Sequence, residues 1–99
     1  MYKFPQSPTK TWRKGAGVPS QHLMRRLVAG ESLLLFKRGS RNASAAISMF
    51  RKAYPKAQGH WTTRAVADGV EILRLPDDYD GSRIDRRAEL DEADLDIFG

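Results

Sequence analysis

The chain has 99 residues, 40% of them hydrophobic and 29% charged, with a formal net charge of +5 and no cysteine. That length supports one small domain and leaves no room for a large enzyme with a deep cleft. The lack of cysteine excludes a disulfide scaffold, a thiol nucleophile and a cysteine-ligated zinc site, and His22 and His60 make no metal site without carboxylate help.

No apolar run approaches the roughly 20 residues that span a bilayer, and the first residues carry no signal-like stretch. The expectation is a soluble, cytoplasmic protein with no membrane contact. Charge is unevenly placed. Residues 1–76 hold fourteen Lys or Arg against three acids (Glu31, Asp68, Glu71), whereas residues 77–99 hold three Arg against nine acids. A basic body with an acidic tail suits a chain that meets nucleic acid or a charged protein surface; a merely solvated tail is the plainer alternative. The punctuation divides the chain into a basic flexible arm (1–19), an α+β domain (20–76) and an acidic tail with terminal apolar residues (77–99).

In the arm, Pro5, Pro8, Gly15, Gly17 and Pro19 break any helical or strand period, while Lys3, Lys10, Arg13 and Lys14 charge it. Trp12 has two readings: a surface on which a base stacks, or an anchor tucked against the domain. A short amphipathic helix follows over 20–29, with Ser20 as N-cap, Leu23, Met24, Leu27 and Val28 inward, and Arg25 and Arg26 outward. Gly30 stops it. The compact apolar run 32–36 reads as a buried strand. Gly39-Ser-Arg-Asn is turn chemistry, and Ser40 or Asn42 caps a helix over 42–53. Its apolar stripe is Ala43, Ala46, Ile47, Phe50 and Tyr54, and Pro55 ends it.

Two β-prone runs flank Asp68-Gly69 between Trp61 and Leu75, which predicts a hairpin. Two turns fit: Asp68-Gly69 as a two-residue type I′ loop, or Ala67-Asp68-Gly69 with Gly69 left-handed. Either way Val70 and Ile72 share one face and Leu73 and Leu75 the other, so both faces of the sheet are partly covered. Residues 77–83 form a polar linker, and Ser82 caps a short helix from Ile84 to Leu90. The fold class is α+β: a small β-α-β-β core, a three-stranded antiparallel-type sheet with one covering helix, behind a short leading helix. Leu34, Phe36, Ile47, Phe50 and Ile72 are the expected core.

Catalytic ingredients are sparse. The chain has no Gly-rich phosphate loop, no metal-ligand spacing and no serine elbow, which predicts a non-enzymatic protein with no catalytic residue, metal or cofactor. The basic side is richer. Lys37, Arg38 and Arg41 crowd the loop before the second helix, Arg51 and Lys52 lie further along it, and Arg64 and Arg74 come from adjacent strands. Converged, these seven would form a phosphate-tracking surface. The start of the second helix, beside Arg38 and Arg41, adds N–H groups suited to a phosphate.

Asp94-Leu95-Asp96-Ile97-Phe98 resembles the linear peptide that binds the bacterial sliding clamp, Gln-Leu-Ser/Asp-Leu-Phe. The resemblance implies that Leu95 is the first apolar anchor and Ile97 and Phe98 the apolar pair, with Asp94 in place of the leading Gln. Two other readings remain: these side chains dock on the domain's own sheet, or the acidic tail occupies the basic surface until nucleic acid displaces it. Over residues 30–75, Gly30-Glu-Ser before an apolar strand, a Ser/Ala-rich helix, Thr62-Thr-Arg-x-Val and an Asp-Gly hairpin ending Leu73-Arg74-Leu75 resemble a group of short bacteriophage proteins. This implies a compact β-α-β-β unit and a phage source, hence a host-cell cytoplasm, and no activity. The leading expectation is a small phage-type binding protein acting on nucleic acid or a nucleic-acid-handling complex through its basic surface. The alternative is a host-directed interaction module or inhibitor whose acidic tail engages a replication or transcription protein.

Overall fold

The apolar run Ser32–Phe36 lies between two charged residues, Glu31 and Lys37, and becomes a central strand with neighbours on both sides. The computed structural model describes residues 2–57 and 59–85. In chain order the elements are β1 (Tyr2–Lys3), β2 (Lys10–Trp12), α1 (Ser20–Arg25), β3 (Ser32–Phe36), α2 (Ser40–Ala53), β4 (His60–Val66), β5 (Gly69–Leu75) and β6 (Ile84–Asp85). The main sheet runs β2-β3-β5-β4, and β1 pairs with β6 in a second, two-residue ladder. β2 lies parallel to β3, whereas β3–β5 and β5–β4 are antiparallel. The class is α+β, as its sequence implies.

Alternation along β3 and β5 sends side chains to both faces. Leu33, Leu35, Val70 and Ile72 meet Met24 and Leu27 from the α1 region and Ala43, Ala46 and Phe50 of α2 in the larger core. On the other face Leu73 and Leu75 pack with Phe4, ringed by Tyr2, Tyr79 and Ile84. Outer segments of the described chain therefore cover the face that the helices leave open. Ser82 helps shape one of them. Its hydroxyl and its N–H both donate to Asp80 Oδ1, and this holds the Asp80 carboxyl below the usual range.

Several expectations need correction. Residues 1–19 are not an arm without regular structure. They carry β1, β2 and the buried Phe4, because β2 satisfies its backbone by pairing with β3, a partner no local period reveals. The prolines lie outside both strands, and Gly15 and Gly17 (φ +86° and +82°) make the turn from β2 to α1. The sheet thus has four strands and is mixed, not three-stranded and antiparallel. Trp12 is the anchor: its ring packs on the larger core and its indole N–H donates to Val18 O at 2.8 Å.

α1 is shorter than expected and ends at Arg25. Ser20 makes no capping bond, Pro19 occupies the N-cap, and Val28 is exposed. α2 begins two residues early, at Ser40, because Asn42 caps from inside the first turn by accepting the Gly39 N–H at 3.1 Å. In the hairpin Val66 faces Gly69, so the loop is Ala67-Asp68 and neither expected turn forms. β3 explains this. Its Phe36 pairs with Gly69, the Lys37 N–H donates to Asp68 O at 2.6 Å, and a Cβ at Gly69 (φ +150°) would lie 2.1 Å from Leu35 O. Ile84 and Asp85 form β6, not a helix start. Leu34, Phe50 and Ile72 are buried, whereas Phe36 and Ile47 are only half-buried. Phe36 pairs with a residue lacking a side chain, and Ile47 lies at the margin of the larger core. The acidic segment 86–99, with Leu95, Ile97 and Phe98, lies outside the described residues.

Candidate functional site

Parallel strands end side by side, and this brings two cation-rich segments together. β2 pairs with β3 so that Trp12 sits opposite Leu35. The chain leaving β2 (Arg13, Lys14) and the chain leaving β3 (Lys37, Arg38) therefore emerge at the same end of the sheet. These four side chains and Phe36 line a surface cleft of about 430 Å³. The Arg13 guanidinium lies 4.0 Å from the centre of the Phe36 ring and Lys37 Nζ 5.4 Å from it, while Arg38 lies 5.5 Å over Trp12. Cations over aromatic faces keep their charge outward while their stems cover apolar surface. Arg38 also lines an adjoining groove of about 310 Å³, whose walls include Trp12, Gln21, Asn42 and the exposed Met49.

The backbone beneath the cleft is tightly held. Lys37 adopts φ +58°, the only positive φ of a non-glycine residue among those described. Its N–H is engaged by Asp68 O and the Arg38 N–H by Leu35 O at 3.2 Å. The ion pairs among the described residues are Arg64–Glu71 at 2.8 Å and Arg74–Asp77 at 2.6 Å. None of the four cleft cations has a carboxylate partner there.

Of the seven expected contact residues, Lys37 and Arg38 enter the cleft. Arg41 is exposed near the start of α2, close to Arg38 in the chain. Arg51 and Lys52 are exposed in the last turn of α2, roughly 15 Å further along at 1.5 Å per residue. Arg64 and Arg74 do not join them. The Arg64 side chain is 8% exposed and donates through Nε and Nη2 to Glu71 Oε1, below Phe4. Ser32 Oγ donates to the other Glu71 oxygen at 2.6 Å. Arg74 lies on the opposite face, 5.2 Å over Trp61. Their register partners, Glu71 for Arg64 and Trp61 for Arg74, draw both side chains inward. Arg13 and Lys14, assigned to a flexible arm in the sequence, complete the cleft instead. The Trp12-Arg13-Lys14 cluster was the signal, and the missing piece was the strand beside it.

His22 and His60 are exposed and lie against Tyr54 and Tyr79, at ring-centre distances of 6.2 and 5.9 Å. Among the described residues no group of three His, Asp or Glu side chains is placed to hold a metal ion, and no helix is long and apolar enough to cross a membrane. Comparison of the chain with protein-family models, curated proteins and solved structures finds no significant match in any of the three.

Proposed function

We propose that the protein binds nucleic acid through the cleft where β2 and β3 end. One observation carries the reading: Arg13, Lys14, Lys37 and Arg38, none with a carboxylate partner among the described residues, line one opening beside Phe36 and Trp12. Phosphates are the ligand that such unpaired cations attract, and release of their counterions supplies the binding free energy. The surplus of basic residues over 1–76 adds long-range attraction. Arg38 and Asn42 continue the surface towards α2, where the chain leaves an apolar wall at Met49.

The test is fluorescence anisotropy with labelled single-stranded DNA and RNA oligonucleotides across a salt series. The combined variant Arg13→Gln, Lys14→Gln, Arg38→Gln should flatten the logarithmic salt slope by about two, at about 0.7 per lost single-strand phosphate contact. Arg51→Gln with Lys52→Gln should leave the slope nearly unchanged. No binding by the wild-type chain at low salt, or an equal loss in the α2 pair, would overturn the assignment.

A further inference from the structure

The groove of about 310 Å³ that adjoins the cleft differs from it in character, although Arg38 lines both. Trp12 and Pro19 meet Ala45, Ala46 and Met49 of α2 there, so its walls are largely carbon. Ala45 and Met49 are exposed, Met49 to 52%. With Asn42 they stand at helical spacing on one stripe of α2, beside the stripe of Ala43, Ala46 and Phe50 that enters the core. A phosphate backbone matches the cations of the cleft and leaves this carbon wall unfilled. An occupant that fits both surfaces carries acids next to apolar side chains.

The chain itself contains such a segment, outside the described residues. Residues 88–98 hold five acids (Glu89, Asp91, Glu92, Asp94, Asp96), no Lys or Arg, and the apolar Leu95, Ile97 and Phe98. Its starting point is fixed by the fold. β6 ends at Asp85, paired with Lys3, and the two strands are parallel. The chain beyond Asp85 therefore leaves the ladder in the same direction as the segment that runs from β1 through β2 to Trp12 and Arg13. Length suffices as well. The nine steps from Lys3 to Trp12 cover at most about 30–32 Å, whereas the ten steps from Asp85 to Leu95 reach about 33–36 Å.

We propose that Leu95, Ile97 and Phe98 fill this groove while the acids before them lie over Arg13, Lys14, Lys37 and Arg38, so that the chain's own segment holds the cleft until an oligonucleotide displaces it. The competition rests on the nucleic-acid reading of the cleft; the contact does not. Charge complementarity brings the segment to the cleft, where the four cations have no carboxylate partner among the described residues. The groove then gives the apolar side chains a place to leave water. Attachment to the same chain presents the segment at an effective concentration of about 1 mM, so a contact too weak to join separate molecules is enough.

The experiment uses the full chain labelled with ¹⁵N and ¹³C-methyl Met. Because the chain has no cysteine, Ala93→Cys takes a nitroxide at one position. The nitroxide should broaden the Met49 methyl and the Trp12 indole N–H strongly, and the amides of β4, at the far edge of the sheet, only weakly. Met49→Glu, a change at an exposed position, should remove the Trp12 broadening. In the anisotropy series with DNA and RNA oligonucleotides, Leu95→Ser, Ile97→Ser and Phe98→Ser together should tighten binding about five-fold or more, since a docked segment withholds the cleft from its ligand. Selective broadening without any oligonucleotide binding would uphold the contact and overturn only the nucleic-acid reading. Equal broadening at Met49 and β4, or an unchanged affinity in the triple-serine variant of a binding chain, would overturn the proposal. Broadening seen only between spin-labelled and isotope-labelled molecules in a mixture would overturn it too, and would assign the groove to a second copy.

Discussion

On the helix-covered face of the sheet, Leu33, Leu35, Val70 and Ile72 meet helix side chains that are themselves apolar. On the opposite face the same two strands present Leu34, Leu73 and Leu75, but also Ser32 and Glu71, both buried. There Glu71 accepts from Ser32 of β3 and from Arg64 of β4, so one carboxylate ties three neighbouring strands. The first face fixes volume and tolerates rearrangement of similar shapes. The second fixes register, because a slip of one residue would turn Glu71 into the helix-covered core without its partners. A hydrophobic face gathers the strands, and the polar trio decides which residues stand opposite each other.

The sharpest way to break this comparison is to remove the carboxylate. Glu71→Ala takes the carboxylate away from the buried Arg64 guanidinium and Ser32 hydroxyl and should cost about 3–5 kcal/mol, close to the whole stability of so small a domain. Glu71→Gln keeps an acceptor and should cost less, about 1–3 kcal/mol. Chemical denaturation monitored by circular dichroism measures both. A loss below about 1 kcal/mol for Glu71→Ala would mean that the trio is solvated in practice and the register rests on the apolar pattern alone.

That polar trio could not be read from the sequence, and the reason is specific. A loop of Asp68-Gly69 would have set Arg64 opposite Leu73, and a three-residue loop would have set it opposite Ile72; only the observed Ala67-Asp68 loop places it opposite Glu71. The deciding contact comes from β3, whose end presses on Gly69. Local patterns were legible where partners are local. The bounds of β3, the α2 stripe of Ala43, Ala46 and Phe50, and the division of Val70 and Ile72 from Leu73 and Leu75 all follow from period and punctuation. β2 and the β1–β6 ladder were not legible, since two- and three-residue strands have no period and their partners are 23 to 82 residues away. The cleft inherits that blindness. Lys37 and Arg38 were visible as candidates, but Arg13 and Lys14 reach them only through the parallel pairing.

Two phenylalanines sharpen the comparison between faces. Phe50 is 3% exposed at the centre of the larger core, and Phe50→Ala should cost about 3–4 kcal/mol. Phe4 is as well buried, at 4%, but belongs to a short outer segment held by the two-residue ladder. The loss from Phe4→Ala should stop near 2 kcal/mol, because residues 2–5 can detach locally before the sheet opens. Hydrogen exchange separates the cases. Phe50→Ala should lower protection across β3 and β5 together, whereas Phe4→Ala should expose the β1–β6 region first. Equal global losses would show that the two faces unfold as one cooperative unit.

The smallest expected effect has the opposite sign, and it falls at the end of β3, where both faces stop. Lys37 is held at φ +58°, a conformation that costs a side-chain-bearing residue about 1–3 kcal/mol. Glycine adopts it freely but loses about 0.4–1 kcal/mol through greater freedom in the unfolded chain. Lys37→Gly should therefore raise stability by about 1 kcal/mol, roughly the difference between the middle values of those two terms. The same change removes one cation from the cleft and should flatten the salt slope of oligonucleotide binding by about 0.7. The N–H bond to Asp68 O survives the substitution, so the hairpin register should be unchanged. Thermal melting and the anisotropy series together read the outcome. A more stable, weaker-binding variant identifies a strained residue kept for its side chain. A less stable one would show that Lys37 serves the fold through its stem over Phe36 and that the cleft begins at Arg38.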